Sequence, residues 1–305
     1  MYPSLLVPLD GSSFSEDAMP LARLLARNLE AEVHLVHVIR PAPDADLKMP
    51  QDDLDWTQKV REGAEVYLEE EAEALREEGV TVSTAILEGR VVAALGEYLE
   101  EHRIPLVVMT THGAGGLKRW WLGSVADGLL RRGGADILLA RPWDETEERP
   151  EGEPRFSRIV VPLDGSVEGE AALPPARALA RTFEAEGTLL RVVPAPVELT
   201  SIYGMAGVRM EGEGHRTRKA EAQEYLDEVA SREAEDAWSA QVVEDRGAAE
   251  GVIKAARALD ADLMVLSTHG RGGLARVVLG SVADKIVRGT TRPVLVVRPD
   301  DSEGE

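Results

Sequence analysis

Thr111-His112-Gly113-Ala114-Gly115-Gly116-Leu117-Lys118-Arg119-Trp120-Trp121-Leu122-Gly123-Ser124-Val125-Ala126-Asp127 returns later in the chain as Thr268-His269-Gly270-Arg271-Gly272-Gly273-Leu274-Ala275-Arg276-Val277-Val278-Leu279-Gly280-Ser281-Val282-Ala283-Asp284, changed at only four aligned positions. Each copy follows an apolar run that reads as a buried strand, Leu106-Val107-Val108-Met109 and Leu263-Met264-Val265-Leu266. Each opens a helix. Ser124 with Asp127, and Ser281 with Asp284, have the spacing of a capping box, in which the hydroxyl accepts a free helix N–H and the carboxylate reaches back. The repeated unit is therefore strand, glycine-rich loop, capped helix. Unpaired backbone N–H groups and the positive end of a helix dipole make such a loop an anion site.

The pattern extends outward in both directions. Leu5-Leu6-Val7-Pro8-Leu9-Asp10-Gly11-Ser12 opens the first half and Ile159-Val160-Val161-Pro162-Leu163-Asp164-Gly165-Ser166 the second. Apolar residues then recur at helix spacing, as in Ala18, Leu21, Leu24, Leu25 and Leu29. Second strands follow at residues 32–39 and 188–193, and both run into Pro-Ala-Pro. A variable loop leads to a long charged helix, about 57–78 and 215–235; the second of these loops is rich in glycine. Third strands are expected at 81–87 and 239–243, helices at 91–101 and 249–259, and fifth strands at 136–142 and 293–299. Strands that alternate with helices and are apolar throughout imply a parallel sheet covered on both faces. The expected fold is α/β: two tandem doubly wound domains, 1–145 and 155–300, each with a five-stranded parallel sheet flanked by helices. Residues 143–154, rich in Glu and Pro, read as the linker, and 300–305 as an acidic tail.

Composition excludes several functions. A net charge of −21, from 55 acidic against 34 basic residues, opposes binding to nucleic acid or to an anionic membrane surface. The absence of cysteine rules out disulfides, thiol catalysis and thiolate metal sites. No apolar run approaches the roughly 20 residues of a membrane span. Met1-Tyr2-Pro3-Ser4 runs straight into a strand, so no signal peptide is expected and the expected location is the cytoplasm. The P-loop, the strand-one dinucleotide fingerprint, the nucleophile elbow and the zinc-binding His-Glu-x-x-His are all missing from the sequence.

Pro-Leu-Asp-Gly-Ser after strand one, with Gly-x9-Gly-Ser after strand four, resembles the universal stress protein domain, present here as two tandem copies. In the ATP-binding branch of that family the motif is Gly-x2-Gly-x9-Gly-[Ser/Thr]. Gly113 with Gly123-Ser124, and Gly270 with Gly280-Ser281, match its last three fixed positions; Thr110 and Ser267 stand in place of the first glycine. The resemblance implies the strand order 3-2-1-4-5, a crevice between strands one and four, and ATP or a related adenine nucleotide, with Mg as a companion ion, bound there.

The resemblance also assigns residues. Asp10 and Asp164 would accept hydrogen bonds from the adenine or ribose end; a helix-capping role is compatible with this. Val38 and Val192 would contact the adenine ring, with core packing an equal alternative. Gly113, Gly123, Gly270 and Gly280 would let phosphates approach the backbone, beside Ser124 and Ser281, which read as helix N-caps. Flanking positions complete the two expected sites: Pro8, Leu9, Met109, Thr110 and Val125 in the first, Pro162, Leu163, Leu266, Ser267 and Val282 in the second. Lys118, Arg119, Arg271 and Arg276 read as solvated surface that could face phosphates. Trp120 and Trp121 fit ordinary packing, a domain or subunit contact, or the lining of the first site. His112 and His269 read as hydrogen-bonded structural residues. His34 and His37, three apart on a strand, face opposite sides and form no metal pair.

Three functions stay open at this stage: a nucleotide-binding stress-response regulator, a slow ATPase at the same site, and a protein that works by contacts alone. Family members often dimerise through strand five. The expectation here is an intramolecular pseudo-dimer in which the two fifth strands pair edge to edge, with association of two chains left open.

Overall fold

The computed structural model describes residues 1–40, 53–111, 122–141, 153–196, 198–199, 208–209, 213–232, 238–268 and 279–299. The chain divides into two compact units, Met1–Arg155 and Phe156–Glu305. The first unit runs β1 (Ser4–Pro8), α1 (Ser13–Glu16), α2 (Met19–Leu29), β2 (Glu32–Ile39), α3 (Asp53–Glu77), β3 (Val82–Glu88), α4 (Val91–His102), β4 (Leu106–Thr110), α5 (Ser124–Arg132) and β5 (Asp136–Ala140). The second runs β6 (Arg158–Pro162), α6 (Val167–Glu170), α7 (Leu173–Phe183), β7 (Glu186–Pro194), β8 (Glu198–Leu199), β9 (Val208–Arg209), α8 (Glu213–Ser231), β10 (Trp238–Asp245), α9 (Ala248–Ala258), β11 (Leu263–Ser267), α10 (Ser281–Gly289) and β12 (Val294–Val297).

In the first unit the strands lie in the order β3-β2-β1-β4-β5, every pair parallel. In the second the order is β10-β7-β6-β11-β12, again parallel throughout. Both are the 3-2-1-4-5 order that the resemblance implied. β8 and β9 form a separate two-stranded antiparallel ladder, in the stretch read from sequence as a loop.

The central strands are buried on both faces, which is why they read as unbroken apolar runs. All five residues of β4, and all five of β11, are buried. Each fully buried Leu, Ile or Val contributes about 1.5–3 kcal/mol over leaving it in water. The helices lie on both faces of each sheet. In β7 the Arg191 guanidinium rests on the Tyr225 ring of α8, whereas the next residue, Val192, packs against Gly251 of α9. Neighbouring side chains on a strand point to opposite faces, so α8 and α9 cover opposite sides. Pro20 in the first turn of α2, and Pro174 and Pro175 in that of α7, occupy positions whose N–H has no helical partner to lose.

Two details differ from the sequence reading. The N-cap of α5 is Gly123 and that of α10 is Gly280; Ser124 and Ser281 are the first helical residues and no side chain caps either helix. Asp127 and Asp284 do not reach back. Each pairs forward with an arginine one turn on, Arg131 and Arg288, both at 2.7 Å. The i,i+4 ion pair competes successfully because the box has lost its reciprocal partner: the cap residue carries no hydroxyl.

Candidate functional site

Each unit brings two loops to the same edge of its sheet. β1 pairs with β2 in a register that sets Pro8 opposite Val36, and the Leu9 amide still donates to the Val36 carbonyl at 2.9 Å. Continuing that register sets Asp10 level with Val38. On its other side β1 pairs with β4, Leu6 opposite Val107, which sets Asp10 level with Thr111. Asp10, Val38 and the end of β4 therefore gather at the carboxyl ends of adjacent strands. This is where the connections of the sheet diverge, the customary ligand crevice of such folds. Asp164, Val192 and Thr268 occupy the same relation in the second unit.

The first loop is shaped by its own aspartate. Oδ1 of Asp10 accepts the Ser12 amide at 3.0 Å and the Ser12 hydroxyl as well. Ser12 in turn caps α1, accepting the Ser15 amide. Asp164 and Ser166 repeat these contacts ahead of α6, the amide again at 3.0 Å. Between them Gly11 (φ +79°) and Gly165 (φ +84°) adopt the left-handed conformation that lets the carboxylate fold onto the serine. The aspartate thus stiffens its loop directly and stays exposed to solvent. The capping and binding readings of Asp10 and Asp164 are compatible, because the capping is delegated to the serine.

The second loop is closed at its base. The Gly123 amide donates to the Thr111 carbonyl, and the Gly280 amide to the Thr268 carbonyl at 2.8 Å. Thr111 and Thr268 are themselves held by β5 and β12 through their amides, at 3.0 and 2.9 Å. A Cβ on Gly280 would stand 3.3 Å from the Thr268 carbonyl oxygen, so the glycine permits a close approach of two backbone segments. Beyond it, the first helical hydrogen bonds run from Asp127 to Gly123 and from Asp284 to Gly280, each 2.9 Å. The amides of residues 124–126 and 281–283 precede the first i→i−4 bond and point out of the helix start, where the dipole favours an anion.

The remaining expected positions fall as follows. Leu9, Met109, Leu163 and Leu266 are buried under the site; Pro8, Pro162 and Val125 are half-buried; Ser124, Ser281 and Val282 are exposed. Thr110 and Ser267 are buried at the ends of β4 and β11, as small side chains there can be. Val38 and Val192 are half-buried. For Val192 the packing role is seen directly, since its methyls stand where a Cβ on Gly251 would be. Gly113, Gly270, His112, His269, Lys118, Arg119, Arg271, Arg276, Trp120, Trp121, residues 143–152 of the linker and the tail lie outside the described residues. His34 and His37 do face opposite sides. Nδ1 of His34 lies 3.0 Å from the Tyr98 hydroxyl of α4, and that of His37 lies 2.8 Å from the Leu9 carbonyl.

The sequence reading missed one pair of residues beside each site. The Tyr67 hydroxyl donates to Glu16 at 3.1 Å, and the Tyr225 hydroxyl to Glu170 at 2.9 Å. About fifty residues separate the partners. The available signal was that both halves carry Glu and Tyr at these aligned positions.

The described part of the arrangement supplies groups that can hold a ligand. It offers an acceptor carboxylate, outward-pointing amides and a half-buried valine. Among the described residues no group of three His, Asp or Glu is placed to hold a metal, and no helix is long and apolar enough to cross a membrane. A cavity of about 560 Å³ lies elsewhere in the second unit, at the ends of β7 and β10. Its lining carboxylates Asp245 and Glu244 already pair with Lys254 (2.7 Å) and Lys219 (2.9 Å). We read it as a solvated charged groove.

Comparison with known proteins gives the family and the fold. The profile of the universal stress protein family matches twice, at residues 1–141 and 155–298. A universal stress protein of Mycolicibacterium smegmatis is 28% identical over 306 residues, 97% of each chain. One of Mycobacterium tuberculosis is 34% identical over 199 residues; that alignment covers 63% of this chain and 61% of the relative. Among solved structures, a universal stress protein from Archaeoglobus fulgidus superposes with a TM-score of 0.70 at 18% identity, covering 98% of this chain and 99% of that one. At that identity it speaks for the fold alone.

Proposed function

The chain belongs to the universal stress protein family, and on that premise we propose that each unit binds an adenine nucleotide, ATP or a close relative, and that the protein acts as a stress-response regulator in the cytoplasm. The observation that carries this reading is the twofold convergence of an aspartate-stiffened loop and a glycine-opened helix start at the ends of neighbouring strands. Asp10 and Asp164 accept hydrogen bonds from the nucleoside end. The amides that open α5 and α10 donate to phosphate oxygens, and Gly123 and Gly280 keep that approach free of side chains. Val38 and Val192 offer apolar contact to the base. Mg accompanies the phosphates as a counter-ion brought by the nucleotide.

Mass spectrometry of the purified protein, followed by isothermal titration of the stripped chain with ATP, tests the reading. Bound adenine nucleotide, and heat that saturates near two ligands per chain, are expected. No co-purified nucleotide together with no heat overturns the proposal and favours action by protein contacts alone. Pairing of the two fifth strands within one chain belongs to the same proposal; its support is the row of unpaired N–H and C=O groups that any edge strand carries. Hydrogen exchange of residues 136–140 and 294–297 tests it, and rapid exchange along both strands would rule it out.

A further inference from the structure

α1 and α6 are single turns of four residues, Ser13–Glu16 and Val167–Glu170. A turn of that length does not hold its own shape, because helix nucleation fixes several dihedrals for one hydrogen bond. Yet each turn is the platform on which Asp10 or Asp164 is folded, through the serine that caps it. Something outside the turn must hold it.

We propose that the Tyr67–Glu16 and Tyr225–Glu170 pairs are latches that fasten these turns to the long helices and so set the position of Asp10 and Asp164 for ligand. The inference rests on the nucleotide-binding reading and makes Tyr67 and Tyr225 positioning residues of the two sites. Each tyrosine sits next to a core leucine, Leu68 (1% exposed) or Leu226 (0%), so its helix is anchored in the interior. Each donates to the last residue of the turn. Burial first, and the glutamate second, hold the phenol proton well above the ordinary range in both units, so the tyrosine remains a donor across physiological pH.

The surroundings of the two latches differ, which isolates what they share. In the first unit Ser15 completes the link: its hydroxyl accepts the Asp10 amide at 3.2 Å and donates to the Ser12 carbonyl at 2.8 Å. In the second unit Gly169 stands at that position, with Oδ1 of Asp164 2.9 Å from where its Cβ would be. There Glu170 takes a second partner, Arg232, and the Arg191 guanidinium lies over the Tyr225 ring, 4.9 Å from its centre. Among the described contacts that tie each turn to its long helix, the tyrosine–glutamate bond is the one both units share. A bond kept while its neighbours change is best explained by the element it holds, and in both units that element is the aspartate loop.

The test is titration of the full-length chain with ATP. Wild-type protein is measured first: if it takes up no ATP, the nucleotide reading fails and the latch falls with it. If wild type binds, Tyr67→Phe should weaken one class of site about 5- to 20-fold and leave the other class unchanged, and Tyr225→Phe should do the converse. Glu16→Gln keeps an acceptor oxygen and should bind within about twofold of wild type, whereas Glu16→Ala should match Tyr67→Phe. Unchanged affinity in both phenylalanine variants, with wild type binding, overturns the latch and leaves the nucleotide reading standing. So does an equal loss in the Gln and Ala variants, which would assign the effect to charge. Urea midpoints of the phenylalanine variants serve as the fold control, and a large fall in midpoint that tracks the affinity loss also counts against a positioning role.

Discussion

The Gly280 amide donates to the Thr268 carbonyl over 2.8 Å, and that same carbonyl oxygen lies 3.3 Å from where a Cβ on Gly280 would stand. The bond closes the base of the loop that leads into α10, and the missing side chain keeps it closed. Gly280→Ala should therefore crowd the closure and cost about 1 kcal/mol, the usual difference between a favourable N-cap and alanine. Gly280→Val adds bulk where phosphate is proposed to sit and should remove one of two ATP-binding equivalents. Urea unfolding reads the first effect and calorimetric stoichiometry the second. A valine variant that still binds two equivalents would put the anion elsewhere.

His34 makes the first unit sensitive to acid. Its ring is buried, with Glu32 on its own strand and Tyr98 and His102 on α4 as the charged or titratable neighbours. Burial first, then His102, pushes its pKa below the ordinary imidazole value, while Glu32 opposes the shift. The folded state thus resists a proton that the unfolded chain accepts near pH 6.5. Above that pH both states are neutral and the group contributes no pH dependence. As pH falls below about 6.5, stability is lost, until the folded-state pKa is passed. The second unit carries Thr188 at the aligned position, bonded to Ser239 at 2.9 Å, and lacks the device. His34→Thr should flatten the decline of the first unit's urea midpoint between pH 7 and 5. Parallel wild-type and variant curves would remove His34 as the cause.

The parallel, doubly covered sheet was legible because its central strands must be apolar throughout, and β4 and β11 are as their sequences announce; the order of the strands came from the family resemblance instead. The two site loops were legible because their motifs recur at matching places. The capping box was misread because Ser124 and Asp127 have the right spacing, whereas Gly123 holds the cap and Arg131 takes the carboxylate. Spacing alone does not say which residue leaves the helical conformation first. The Tyr67–Glu16 bond was illegible for another reason: α1 meets α3 only after β2 has been laid down between them, and no local pattern encodes that meeting.

Among the described residues, three helix C-caps carry a side chain in the left-handed conformation, Glu30 (φ 52°), Arg103 (φ 51°) and Glu184 (φ 51°), and Asp260 (φ 47°) adopts it just past the end of α9. For an L-residue that conformation costs about 1–2 kcal/mol, and glycine escapes it. Part of the gain is returned through the freer unfolded chain. Arg103→Gly, at an exposed position, should raise stability by about 0.5–1 kcal/mol, and Arg103→Val should lower it. A lower urea midpoint for the glycine variant would mean that the arginine side chain contributes more than its backbone costs.

Gly187 and Trp238 face each other across β7 and β10, directly paired in register. A Cβ on Gly187 would come within 2.3 Å of the indole, so the ring lies flat over the glycine. The first unit solves the same position with two residues of equal size: Val33 is paired with Val82. One unit has thus divided a shared volume as nothing plus tryptophan, the other as valine plus valine. Gly187→Val alone should force the indole out and cost about 1–3 kcal/mol or more, the range for overpacking. Trp238→Val alone should leave a void and cost about 2–4 kcal/mol, below the usual figure for tryptophan to alanine. The double variant Gly187→Val, Trp238→Val rebuilds the first unit's solution and should cost less than either single change. That requires a favourable coupling of about 2 kcal/mol or more, at the upper part of the range for residues in contact. A double-mutant cycle from urea unfolding measures it. Costs that simply add would show that the surroundings of the pair, rather than the volume it fills, differ between the units.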